Sequence, residues 1–225
     1  KISEELLEVQ NKSLNILNLM PNALLVYPKN PITFWSFDEA LKIANKKSAF
    51  PPTGLLTVAG MLPEDYNIRI IDANVSQLKE EDIEWADIGL TSGMVIHWGE
   101  TEKIIQRFNQ FSKPIIAGGP LATQYFNDIN GDAVFFLGEA EAGFVDVLED
   151  IAARGYKIER KIIDKRKKFL SLDDKTPPQR FDLIKSFLKD YSAMAIQTKR
   201  GCPEHCTFCN IPSLYGSTTR IKGDD

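Results

Sequence analysis

The chain has 225 residues, 43% of them hydrophobic and 26% charged, with a formal net charge of −4. That balance excludes a disordered chain and leaves enough apolar material for one large core and part of another. It gives no electrostatic support for a nucleic-acid partner, and apolar runs such as "ALLVY" and "AVFFL" fall well short of the roughly 20 residues that span a bilayer.

The opening "KISEELLEVQNKSLNILNLM" is charged and periodic, without a signal-peptide core, and reads as a helical extension over residues 1–21. From residue 22 apolar runs alternate with amphipathic ones. "NALLVYP", "NIRIIDAN", "DIGLTSG", "KPIIAGGP" and "AVFFLGEAE" read as strands. Between them, "TGLLTVAGML", "QLKEEDIEWA", "GETEKIIQRFNQF" and "ATQYFNDI" read as helices, with "AGFVDVLEDIAAR" closing the series. Thr53 is placed as an N-cap. Ile104, Ile105, Phe108 and Phe111 recur at helical spacing. Continuously apolar strands alternating with helices call for a parallel sheet covered on both faces. The expectation is a doubly wound, five-stranded α/β domain over residues 22–155, with flavodoxin-like order 2-1-3-4-5.

After Arg154 charge and apolar residues alternate, and a proline pair follows. Residues 156–180 read as a hairpin or extended arm followed by a linker, with "DKRKK" as a solvated face rather than an anion site. "FDLIKSFLKDY" reads as a helix. "SAMAIQTKRG" reads as a strand running into "GCPEHCTFCN", which holds all three cysteines.

Three thiols cannot close internally as disulfides, and no secretion signal precedes them, so a reducing cytoplasm is expected. Cys202, Cys206 and Cys209 form C-x3-C-x2-C. Zinc sites usually take four ligands, and His205, adjacent to Cys206, is a poor fourth. Three thiolates on a tight loop suit three corners of a 4Fe–4S cluster with one iron open. A structural zinc site and thiols without function are the competing readings. Gly201 lets the chain turn off the strand, and Phe208 is the aromatic expected to shield the cluster or pack beside a nucleobase.

This stretch resembles the radical S-adenosylmethionine (SAM) motif in its "RGCPxxCxFC" form. The resemblance implies that the open iron chelates SAM, that an external electron donor reduces the cluster, and that residues 181–225 begin a partial (β/α) barrel. Barrel active sites lie at the carboxyl ends of the strands, where this loop is expected. Only 16 residues follow Cys209, too few for the remaining barrel units. The chain is therefore expected to be an inactive, truncated piece of a protein roughly twice as long.

In the preceding domain, ligands are expected at the strand tips. Gly118 and Gly119 allow a close approach to backbone, or serve only as turn residues. Thr91 and Ser92 offer hydroxyls. Glu139 and Glu141 either contact a cofactor or cap the next helix. A five-stranded α/β domain ahead of a radical SAM motif resembles the cobalamin-binding class of these enzymes. Ser92–Met94, including Gly93, and Gly118–Gly119 occupy the places of that class's Ser-x-Leu and Gly-Gly signatures. Its D-x-H-x-x-G signature is absent, and the only histidines are His97 and His205. The resemblance then implies cobalamin held by Thr91, Ser92, Gly93, Gly118, Gly119 and Glu139, with no histidine of the chain on cobalt. His97 reads either as facing the cofactor or as an ordinary hydrogen-bonded histidine.

Residues 27–63, "WAD…SGM" and "AGGPLAT" resemble the subgroup that includes the hopanoid C-2 methylases. The implied activity is methylation of an unactivated carbon on a small-molecule or lipid-like substrate. "TFWSF" lines the cofactor or substrate, or packs over the first helix. One rival is a radical SAM methylthiotransferase, but the additional cysteines of that family's N-terminal domain are missing before Cys202. A non-catalytic cobalamin or iron–sulfur binding module is the other.

Overall fold

The computed structural model describes residues 20–172 and 176–222, so the helical extension expected at the N-terminus lies outside the described residues except for Met20 and Pro21. The first strand, β1, is Asn22–Tyr27, followed by helices α1 (Asp38–Ile43) and α2 (Thr53–Met61). Four strand–helix repeats come next. They are β2 (Asn67–Asp72) with α3 (Glu80–Trp85), β3 (Ile88–Ser92) with α4 (Trp98–Gln110), β4 (Ile115–Gly118) with α5 (Gly119–Tyr125), and β5 (Val134–Leu137) with α6 (Phe144–Ala153). Strand β6 is Lys161–Asp164.

These six strands form one parallel sheet in the order β2-β1-β3-β4-β5-β6. Leu25 of β1 lies between Ile70 of β2 and Leu90 of β3, which fixes the central register. Successive side chains of each strand go to opposite faces. Ala23, Leu25, Ile88, Leu90, Ile116 and Phe136 join a core beneath α2 and α6. Leu24, Val26, Ile115, Ala117, Phe135 and Leu137 join a second core beneath α3, α4 and α5. Burial on both faces explains the unbroken apolar strands. Helix α4 buries Ile104, Ile105 and Phe108, as its spacing predicts.

The flavodoxin-like order holds, but the strand count is six rather than five. The sixth strand is "KIID", inside the stretch expected to form a hairpin. Its residues pair parallel with Val134–Leu137 instead. It is an edge strand and only half covered, so it carries the alternating charge that resembles a hairpin. Thr53 does not act as a cap: it is the first residue of α2, and no side-chain cap bond forms there.

Residues Phe181–Asp190 wind as a 3-10 helix that buries Ile184 against the α2 side. Tyr191 follows and donates its phenol to Asp72 Oδ2 at 2.9 Å. The strand expected over residues 192–200 is reduced to β7 (Lys199–Arg200). After α7 (Ile211–Tyr215), β7 pairs antiparallel with β8 (Arg220–Ile221). That two-stranded ribbon stands where a barrel was expected to begin, and no barrel is formed among the described residues. No described helix is long and apolar enough to cross a membrane.

Candidate functional site

The carboxyl ends of β1, β3, β4 and β5 open into one cavity of ≈ 680 Å³. Thr91, Ser92, Gly93, Gly118, Gly119 and Glu139, dispersed in sequence, all line it. Tyr27 at the end of β1 and Asn30 in the loop after it line it, as do Gln197, Arg200 and Tyr215 from the C-terminal segment. A concave, partly apolar site at the strand ends of an open α/β sheet is where such folds bind ligands.

The floor is built of backbone. Gly119 has φ +80°, and a Cβ there would lie 2.3 Å from Ser92 Oγ. Only glycine keeps this approach open. The neighbouring Thr91 hydroxyl is buried and donates to the Val26 carbonyl at 2.9 Å, so its proton is engaged within the sheet. Ser92, only partly buried, is the more accessible hydroxyl of the pair.

His97 is completely buried and does not line the cavity. Its Nδ1 accepts the Met94 N–H at 3.1 Å, which leaves Nε2 protonated to donate to Asn30 Oδ1 at 2.7 Å. Burial holds its pKa below the ordinary histidine value. Both ring nitrogens are occupied, so the hydrogen-bonded reading of His97 is the one realised. The ring also stands edge-on to Tyr27, 5.2 Å between centroids. His97 thereby secures Tyr27 and Asn30 of the cavity wall. Tyr27 has its phenol pushed up to about 12, by burial first and by the nearby Asp72 second.

A second feature is a cluster of four largely buried charges, Glu139, Glu141, Arg200 and Arg220. The Glu139 carboxylate, 2% exposed, receives both terminal nitrogens of Arg220, with Nη1 donating to Oε2 at 2.8 Å and Nη2 to Oε1. Arg200 Nη1 lies 3.3 Å from Glu139 Oε2, and its Nη2 donates to Glu141 Oε1 at 3.0 Å. Burial opposes the charge of Arg200, but the Glu141 hydrogen bond and both carboxylates outweigh it and leave its pKa raised. Glu139 makes no side-chain helix cap. Sequence reasoning singled out the two glutamates and missed both arginines. The available signal was the position of Arg200, two residues before Cys202.

The cysteine loop leaves β7 at Gly201, whose φ of +87° places a hypothetical Cβ 2.3 Å from the Thr218 carbonyl. The Cys202 N–H donates to Gly216 O at 3.1 Å, and the Cys209 N–H to Cys206 O at 3.0 Å. All three thiols are free; Cys206 is exposed and the others partly so. Thiolate is the donor type of iron–sulfur centres. The placement of the three thiols does not gather them: among the described residues no three His, Cys, Asp or Glu side chains converge to hold a metal ion. Phe208 is 89% exposed and does not line the cavity. The loop is tied to α5 by Asn210 Nδ2, which donates to Gln124 Oε1 at 3.3 Å.

No protein-family model matches the chain. It is 35% identical over 205 residues to an uncharacterised methyltransferase of Synechocystis sp., covering 89% of this chain and 36% of that protein. It is 30% identical over 206 residues to a hopanoid C-2 methylase of Rhodopseudomonas palustris, covering 88% and 37%. It is 23% identical over 205 residues to a bacteriochlorophyllide d C-12(1)-methyltransferase of Chlorobaculum tepidum, covering 90% and 42%. The chain spans well under half the length of each of these curated relatives. Along nearly its whole length, then, it is similar to a portion of longer proteins named as methyltransferases.

Proposed function

We propose that the chain is part of a cobalamin-dependent radical SAM methyltransferase acting on an unactivated carbon of a small-molecule or lipid-like substrate. The observation that carries this reading is the convergence of Ser92, Gly93, Gly118 and Gly119 with Arg200, beside the C-x3-C-x2-C loop, around one cavity. The names of the relatives support methylation, and those of two of them support a hydrophobic, polycyclic or macrocyclic substrate class.

In this reading Cys202, Cys206 and Cys209 hold a 4Fe–4S cluster with one iron left for SAM, and the strand-tip cavity holds cobalamin. When bound, these groups supply a carbon-centred radical and a transferable methyl. The chain's own residues bind and orient. The glycine pair admits a flat ligand against bare backbone, Ser92 presents a hydroxyl beside it, and Gly201 aims the thiol loop off β7. His97 is not a cobalt ligand in this reading, because both its nitrogens already have partners.

The test is retention of corrinoid. The chain is incubated with hydroxocobalamin, separated from excess by gel filtration, and its visible spectrum recorded. Retained corrinoid, lost in Gly119→Val, is the expected result. A chain that elutes colourless overturns the cobalamin assignment.

A further inference from the structure

The four-charge cluster lies between two parts of the molecule that the sequence separates by about sixty residues or more. Glu139 and Glu141 belong to the turn after β5, on the parallel sheet. Arg200 and Arg220 are the two strands of the ribbon that carries the cysteine loop. The ribbon itself is slight, with two residues in each strand. Its strand pairing cannot hold it in place alone, since even a full isolated hairpin is marginal in water. Side-chain ties must do so. Arg220 also donates to the carbonyls of Leu170 at 2.8 Å and Tyr215 at 2.9 Å, and its guanidinium stacks over Phe169 at 5.1 Å. Thr176 Oγ1 donates to Glu141 Oε1 at 3.3 Å. Every strong ion pair of the ribbon is therefore made to one short turn.

We propose that Glu139 and Glu141 are positioning residues that seat the cysteine loop against the cavity, through Arg200 and Arg220, and so determine whether the three thiols can hold their cluster. The role of the thiols rests on the function proposed above; the mechanical tie does not. The forked, bidentate pair of Glu139 with Arg220 fixes direction as well as distance. Arg200 passes that constraint on to Gly201 and Cys202 through the backbone. Glu139, Glu141, Arg200 and Tyr215 also line the cavity, so the tie is a wall shared by the strand-tip site and the thiol loop.

Two measurements test this. The first is amide hydrogen exchange on the 225-residue chain, comparing Glu139→Gln, Arg220→Met and the double variant with the wild type. Exchange over residues 199–222 is expected to speed up by about tenfold or more in each single variant, while β1–β5 stay protected. The double variant is expected to be no worse than the worse single one, because the pair acts as a unit. Exchange within about twofold of wild type, or effects that simply multiply, would overturn the tie. Protection of β1–β5 separates this result from misfolding, and Arg220→Met, which changes a residue outside the parallel sheet, covers the case in which Glu139→Gln does not fold.

The second is iron bound per chain after anaerobic addition of iron and sulfide to the complete protein. The single variants are expected to retain less than half the wild-type iron; equal retention overturns the positioning role. The failures are distinguishable. Unchanged exchange overturns the tie whatever the iron result, and a wild-type protein that binds no iron overturns the functional reading whatever the exchange result.

Discussion

His97 Nε2 donates to Asn30 Oδ1 at 2.7 Å, joining the loop after β3 to the loop after β1 across 67 residues of sequence. Asn30 is fixed in turn from β2, since its N–H donates to Asn74 Oδ1 at 2.8 Å. Three strand tips are thus joined by one chain of hydrogen bonds that needs a neutral imidazole, with an acceptor at Nδ1 and a donor at Nε2.

This linkage gives a pH dependence with a definite sign. The His97 pKa is lowered in the folded protein. The unfolded chain therefore binds the proton first, below about pH 6.5, and the stabilisation is lost as pH falls from there through the folded value. Urea midpoints measured from pH 7.5 down to 5.5 are expected to fall in the wild type and to fall less in His97→Gln. At pH 7.5 the variant is expected to lose roughly 1–3 kcal/mol, the cost of leaving buried polar groups unpaired.

Gly89 tests the packing of the sheet. A Cβ there would lie 2.4 Å from the ring of Phe108, which is fully buried beneath α4. Gly89→Ala is expected to destabilise by about 1–3 kcal/mol through overpacking. Adding Phe108→Leu should recover part of that loss, because it withdraws the ring atoms that clash. Chemical denaturation of the single and double variants checks this; additive losses would contradict it.

At the cavity floor, Gly119→Ala combines a left-handed backbone with a contact on Ser92 Oγ. The expected cost is about 1–3 kcal/mol in stability, together with loss of hydroxocobalamin retention. Ser92→Ala in the same chain removes the hydroxyl contact but leaves the φ strain, so it should restore only part of the stability. Thermal unfolding and the retained corrinoid spectrum report the two effects separately.

The thiol loop makes a contrasting prediction. Cys206 is exposed, so Cys206→Ala should leave the unfolding free energy of the chain, measured in urea, within about 0.5 kcal/mol of wild type. In the complete, anaerobically reconstituted protein the same change should abolish bound iron and deoxyadenosine formation from SAM. Unchanged SAM cleavage in that variant would remove the iron–sulfur assignment.

The apolar runs and their helical intervals pointed by themselves to a parallel sheet of β1 to β5 covered on both sides, because the inner strands β1, β3, β4 and β5 are buried on two faces and carry almost no polar alternation, while the edge strand β2 still ends in a buried run. They also placed Ser92, Gly93, Gly118, Gly119 and Glu139 at strand tips, since the carboxyl end of each strand follows from chain direction. The C-x3-C-x2-C spacing is likewise a local property of sequence, but spacing does not bring side chains together, and among the described residues the three thiols do not converge. Tertiary structure decided the rest. "KIID" carries the alternation of an edge strand, and only its pairing with β5 distinguishes that from a hairpin. His97 was ambiguous until Met94 and Asn30 occupied its two nitrogens. Arg200 and Arg220 drew no reading from the sequence; their pairing with Glu139 and Glu141 exists only because the fold brings segments about sixty residues or more apart together and largely excludes water there.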